Sequence, residues 1–335
     1  MKRIFSIVAA AALLCEGAIV SAQEPGGPSD VPYTPVLVSL VPGISFPFGY
    51  YDSSLAGGAI GNLVRDVSGA EGAGVFNISR DVRGTQGAGV FNVSRRILGF
   101  QGAGVFNIAD GDVDGFQGAG VFNIADRVDG GQAAGLFNRA DRVTGIQVGL
   151  VNVAGYIDGV QIGLVNIAGN GVGSIGLTYE PVDEFTYVHL QEGTPALYTV
   201  FGIGAPTGDW LRDCSGFVAS IGLGSRTRCF GLDFDLDVSA EQAIGDLPFD
   251  SFEWYGNWRA WQGWSMMRPY PSVRLMAGLP LGGHFQIVGG LKADFDLDSL
   301  GGRVPEALKQ GSSWRGRLFG EGFTVWPKWF FGVKI

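Results

Sequence analysis

Gln86-Gly87-Ala88-Gly89-Val90-Phe91-Asn92 returns one period later, letter for letter, as Gln101-Gly102-Ala103-Gly104-Val105-Phe106-Asn107. The asparagine marks the period along half of the chain: Asn62, Asn77, Asn92, Asn107, Asn123, Asn138, Asn152 and Asn166 stand 15 residues apart, with slips to 16 and 14 in the later copies. A glutamine precedes the shared core at Gln86, Gln101, Gln117, Gln132, Gln147 and Gln161, and Glu71 holds that place in the first full copy. Each unit is too short for a pair of helices. Its Val, Phe and Ile, set between Gly- and Asp-rich turns, predict one or two short strands and a turn per unit. Such units cannot bury a face alone and must stack. Stacked as a β-solenoid, they would place Phe over Phe inside and build ladders from Asn77, Asn92, Asn107, Asn123, Asn138, Asn152 and Asn166. Each amide in such a ladder bonds to its own copy, whereas a lone buried amide is costly. The competing reading makes each repeat one strand of a larger antiparallel barrel. The solenoid is favoured, because a recurring Asn would sit awkwardly on a lipid face.

Working outward from the array, residues 1–22 read as a secretory signal peptide. Lys2 and Arg3 precede an apolar run from Ile4 to Leu14, and Val20-Ser21-Ala22 offers small residues for cleavage before Gln23. The apolar run is shorter than the roughly 20 residues needed to span a bilayer. Acylation at Cys15 is disfavoured by bulky Leu14 before it. Residues 23–56 form a lead-in segment, 57–172 the tandem repeats and 173–335 a second domain. With 56 Gly among 335 residues, 12% aromatic and only 16% charged residues, the chain has the composition of a repetitive β protein with many tight turns. Its 46% hydrophobic content excludes disorder. A net charge of −9 without any basic stripe excludes nucleic acid as a partner.

From about Gly173 the repeat gives way to period-two alternation. Leu232, Phe234, Leu236 and Val238 fall on one face and Asp233, Asp235 and Asp237 on the other. Phe285, Ile287, Leu291, Phe295 and Leu297 likewise oppose Gln286, Lys292, Asp294, Asp296 and Asp298. Apolar outward and polar inward is the membrane-barrel pattern. No later segment offers about 18 consecutive apolar residues for a helical span. Further strands are expected at Ile175–Tyr179, Phe185–Gln191, Leu197–Gly204, Gly216–Gly224, Val273–Leu279 and Arg317–Val325. The chain closes with Trp329, Phe331, Val333 and Ile335 on one face, as a terminal barrel strand would. The fold class expected is therefore all-β: an N-terminal repeat array followed by an antiparallel outer-membrane β-barrel of about eight to ten strands. Trp254, Trp258, Trp261 and Trp264 crowd one stretch and read as an aromatic belt, with a sugar-stacking platform as the sharper alternative.

Chemistry is sparse. The two histidines, His189 and His284, have no partner at metal-ligand spacing, and the Asp-x-Asp-x-Asp runs lack the Gly and distal Glu of a calcium loop. Repeated Gly-Ala-Gly is not a dinucleotide fingerprint, since that motif occurs once, between a strand and a helix. The Asn-x-Ser triplets at Asn77 and Asn92 arise from the repeat itself. No catalytic residue, metal site or cofactor is expected. Cys214 and Cys229, placed on adjacent strands in an oxidising compartment, form a candidate disulfide, with two isolated thiols as the alternative. Asp233, Asp235, Asp237, Asp294, Asp296 and Asp298 are candidate lumen-facing acids, which would favour cations in an open pore.

Gly159-Val160-Gln161-Ile162-Gly163-Leu164-Val165-Asn166-Ile167-Ala168, with Val38-Ser39-Leu40-Val41-Pro42-Gly43-Ile44-Ser45 ahead of the array, resembles a family of bacterial surface-repeat proteins over roughly residues 36–172. These are exported proteins of spirochaetes and Bacteroidetes held in or on the outer membrane. The resemblance implies that location and carries no activity or functional residue. The expected function is a surface-exposed structural or binding protein without catalysis, with outer-membrane lipid and an unknown extracellular or envelope ligand as partners. A small cation-preferring pore is the alternative.

Overall fold

A computed structural model describes residues 31–207, 217–244, 269–282, 285–297, 304, 308–318 and 321–335. The signal segment, Cys15, Cys214, the four clustered tryptophans, His284 and Asp298 lie outside the described residues. Among those described, the structure is all-β, with no α-helix. The chain divides into two compact units, Met1–Gly145 and Ile146–Ile335.

In the first unit the strands stack in parallel. β1 (Tyr33–Val41) pairs with β3 (Asp52–Gly58), β3 with β4 (Gly61–Ala73), β4 with β5 (Phe76–Ala88), and β5 with β6 (Phe91–Ala103). β2 (Ile44–Phe46) folds back antiparallel on β1, so the lead-in segment is part of the stack. The slip to 16 residues falls at Asp110-Gly111-Asp112, where the next coil splits into β7 (Phe106–Ala109) and β8 (Asp112–Ala119). Both halves lie on β6 and on β9 (Phe122–Ala134), and β10 (Phe137–Val148) follows. Register is set by identity: Asn62 faces Asn77, Asn77 faces Asn92, Asn92 faces Asn107 and Asn107 faces Asn123. This region is a parallel, solenoid-like stack, and the antiparallel-strand reading of the repeats is set aside. A parallel register lets every Asn and Gln meet its own copy, and an antiparallel register does not.

One expectation is corrected. The Phe rings do stack, at centroid spacings of 5.2 Å for Phe76–Phe91, 5.0 Å for Phe91–Phe106 and 4.8 Å for Phe106–Phe122, but they stand half-buried on the outer face. Successive side chains of a strand point to opposite faces, so turning Asn77 inward turns Phe76 outward. The inner column of each coil is an Asn, a small residue such as Ser79 or Ala109, an aliphatic such as Val82 or Ile97, and a Gln, all buried. Where a coil bends, glycine is required: Gly99 has φ +133°, and a Cβ there would lie 2.1 Å from the Gly84 carbonyl oxygen. At one corner of the coils Arg and Asp alternate, and Arg80 pairs with Asp66 at 2.5 Å.

In the second unit β11 (Val151–Ile162) and β12 (Val165–Ala168) continue the parallel pattern, with Asn152 facing Asn166. The chain then turns antiparallel through β13 (Val172–Glu180), β14 (Phe185–Gly193), β15 (Tyr198–Pro206), β16 (Phe217–Cys229), β17 (Leu232–Ile244), β18 (Tyr270–Gly282) and β19 (Phe285–Leu297). β20 (Trp314–Leu318) and β21 (Glu321–Lys334) complete a nine-stranded sheet. β21 pairs with β19, and β13, already paired with β14, also bonds to β21, with Gly176 facing Lys334 and Tyr179 facing Phe331. The strand expected at Arg317–Val325 is instead a hairpin, with Arg317 facing Gly322. β21 then runs on without interruption through the expected terminal strand. Gly322 carries no side chain to sustain the alternation of one continuous strand through this stretch.

Candidate functional site

Two features of this chain gather polar groups where sequence periodicity aimed them: the amide ladders of the coils and the inner face of the antiparallel sheet.

The Asn ladder runs in one direction. Asn77 Nδ2 donates to Asn92 Oδ1 at 2.8 Å and to the Gly87 carbonyl at 2.8 Å, and Asn92, Asn107 and Asn123 repeat the pattern. The Gln ladder runs the other way. Gln101 Nε2 donates back to Gln86 Oε1 at 2.7 Å, and Gln86 donates to Glu71 Oε2 at 2.8 Å. From Gln86 onward through β9, opposed columns of amide dipoles lie side by side. Both ends of the Asn series are terminated by hydroxyls that sequence reasoning missed. Ser39 Oγ donates to Asn62 Oδ1 in the first unit. In the second, Asn166 Nδ2 donates to Thr199 Oγ1 at 3.3 Å. A stacked repeat signals its own period but not its caps, which lie outside it.

Glu71 ends the Gln series. It faces Gln86 on one side and, through its partner strand, Ala56 on the other, where nothing donates to Oε1 among the described residues. Burial pushes its carboxyl up to about 7, against the hydrogen bonds from the Gln86 and Ser79 side chains that pull it down. The folded state therefore holds a proton that the unfolded chain releases above its ordinary value of 4.5. Stability falls as pH rises from 4.5 to about 7 and is level above that, a loss on the order of 3 kcal/mol. Glu71→Gln is expected to flatten this slope and to raise the thermal midpoint at pH 8. Circular dichroism melts at pH 5 and pH 8 check it, and an unchanged slope in the variant would assign the effect elsewhere.

On the antiparallel sheet the inner face carries ions. Asp233, Asp235, Asp237 and Asp294 are buried there, and Asp296 accepts from the Val304 amide at 2.7 Å. What periodicity did not foresee is that the acids are matched. Arg228 pairs with Asp233 at 2.6 Å, Arg226 with Asp235 at 2.6 Å, and Lys334 with Asp235 at 2.8 Å. Arg274 pairs with Asp237 at 2.6 Å. Lys292 lies within 3.2 Å of Glu180, 3.0 Å of Glu241 and 3.6 Å of Asp294, and Lys328 bridges Asp183 and Asp294. A signal was available: hairpin register puts Arg228 opposite Asp233 and Arg226 opposite Asp235.

Toward one end of the strands Phe185, Tyr187, Val218, Tyr270 and Trp326 meet Val304 and Leu308 in an apolar cluster. His189 stacks on Tyr187 at 5.6 Å with neither ring nitrogen bonded among the described residues. It borders two voids of about 10 Å³, each with room for about one water. No group of three His, Cys, Asp or Glu that could hold a metal occurs among the described residues. Cys229 is exposed at the end of β16, facing Leu232, because the Phe230-Gly231 turn breaks the parity that would align it with Asp233. No helix among the described residues is long and apolar enough to cross a membrane.

Comparison with family models, curated proteins and solved structures found no match in any of the three.

Proposed function

We propose that this chain is an exported outer-membrane protein with a structural or binding role at the cell surface and no catalytic activity. In this reading residues 1–22 are its signal peptide, and β13–β19 with β21 close into an eight-strand barrel that anchors the repeats. One observation carries it: the antiparallel sheet is apolar outside and ionic inside. Ile175, Leu177, Ile203, Ile221, Leu223 and Leu291 stand outward and exposed, while Lys292, Lys328, Asp235 and Asp294 are buried inward. In water this arrangement exposes the wrong groups, and in hydrocarbon it is the one a barrel requires. Bonding of β13 to both β14 and β21 supports closure. The likeness of the repeats to the surface-repeat family supports the location.

The inward charges favour an anchor over the cation-preferring pore. Asp233, Asp235, Asp237 and Asp294 each have a basic partner, and Val304 and Leu308 pack among the inward aromatics. A barrel of about eight strands has an interior that side chains fill. The membrane-extracted protein is expected to migrate faster on gels before boiling than after, and to leave planar bilayers at baseline conductance. Stepwise cation-selective currents would replace this reading with the pore. No heat shift, with release of the protein by alkali, would remove the barrel altogether. Binding of intact cells to matrix or glycans, lost on deletion of the repeats, tests the surface role.

A further inference from the structure

The coils of the parallel stack bury amides beside a column of aliphatics and leave a further set of apolar side chains outside. In the second unit the turn edge of β11 and β12 presents Leu150, Ile162, Leu164 and Ile167, all between 44% and 50% exposed. Away from that edge β11 exposes Tyr156 and Asp158. The same edge position in the first unit holds Ile60, Val75, Val90, Val105, Val121 and Leu136, while Arg65, Asp66, Arg80 and Asp81 occupy the corner across from it. A charged rail opposite an apolar rail is the polarity of an element lying in a membrane interface. A water-facing surface scatters its apolar residues singly and does not align them in register.

A second observation says where the last coil sits. Asn166 of β12 bonds to Thr199 of β15, and Thr199 Oγ1 donates to the Gly163 carbonyl at 3.2 Å. Tyr198 and Val200 point inward, so Thr199 is on the outer face of the sheet, in line with exposed Ile203. Four residues of strand separate Thr199 from Ile203, roughly 13 Å at about 3.3 Å per residue. The last coil therefore abuts the rim of the outward apolar face.

We propose that the apolar edge of β11 and β12, formed by Leu150, Ile162, Leu164 and Ile167, lies in the interfacial layer of a phospholipid bilayer. This rests on the outer-membrane reading above.

Nitroxide labels on single cysteines test this in the full chain, made free of its native cysteines and reconstituted in phosphatidylcholine vesicles. Labels replace Leu150, Leu164 and Asp158, with Leu223 on the outer sheet face as reference. Folding of each variant is checked by its heat shift on gels. Labels at Leu150 and Leu164 are expected to meet oxygen severalfold more readily than an aqueous nickel chelate, and the label at Asp158 the reverse. Nickel access at Leu164 equal to that at Asp158, with Leu223 still lipid-exposed, overturns the inference and leaves the barrel standing. Exclusion of both reagents at Leu164, with broadening between labels, also overturns it and assigns the edge to a second copy of the chain. Nickel access at Leu223 removes the membrane reading and this inference together.

Discussion

Replacing Lys292 by Met is expected to lower the stability of the antiparallel sheet by about 3–5 kcal/mol, the usual consequence of removing one partner from a buried ion network. The ammonium lies within 3.6 Å of three carboxylates, those of Glu180, Glu241 and Asp294, and also donates to the Tyr187 hydroxyl at 3.3 Å, with that ring's centroid 4.3 Å away. Without it, Glu180 and Glu241 face each other with no cation between them. Lys328 still reaches Asp294, so the loss concentrates at the Glu180–Glu241 end. Urea titration of the heat-shifted gel band measures the change, and the double variant Lys292→Met with Glu241→Gln should recover a large part of it. A single variant as stable as the parent would mean that these carboxylates are not a charged cluster.

Asn107→Leu is expected to destabilise the parallel stack by about 3 kcal/mol, more than Phe106→Ala beside it. Asn107 donates to the Gly118 carbonyl at 2.8 Å and to Asn123 Oδ1 at 2.9 Å, and accepts from Asn92 at 2.9 Å. Leu fills a similar volume and supplies none of these bonds. Two buried acceptors lose their donor at about 1–3 kcal/mol each, whereas Asn92 keeps its bond to the Gly102 carbonyl. Phe106 is half-buried between Phe91 and Phe122, and its truncation leaves the coil interior intact. This ranking reverses the ordinary one, in which aromatic residues make the core. Melting of the two variants under identical conditions decides it: a larger loss for Phe106→Ala would place the aromatic column at the centre and the amides outside.

The two changes bear on function in different ways. On the proposed outer-membrane role, the ion network rigidifies a wall whose outer face is apolar, and its loss is expected to reduce assembly into lipid before it alters any surface property. The amide ladder fixes the spacing of the exposed side chains from coil to coil, so its loss should blur the regular surface on which a binding role depends.

Much of this architecture was legible in the residues. The spacing of Asn62, Asn77, Asn92 and Asn107 demanded stacking in register, because an amide ladder closes only when like meets like. Alternation at Leu232–Val238 and Phe285–Leu297 announced strands with one polar and one apolar face. These are local signals, since period and alternation are properties of neighbours along the chain. Tertiary structure alone decided which face turned inward in the repeats. It put Phe76 and Phe91 outside the coil, since only one of two adjacent side chains enters a strand-thin interior and the amides there satisfy one another. It brought Lys292, Lys328 and Arg274 to the acids, from strands that sequence distance keeps apart. It chose Ser39 and Thr199 as the hydroxyls that end the Asn series, each lying outside the repeat it caps. A repeat determines its own period by itself, whereas the partners of its ends and of its buried charges depend on what the folded chain brings within hydrogen-bonding distance.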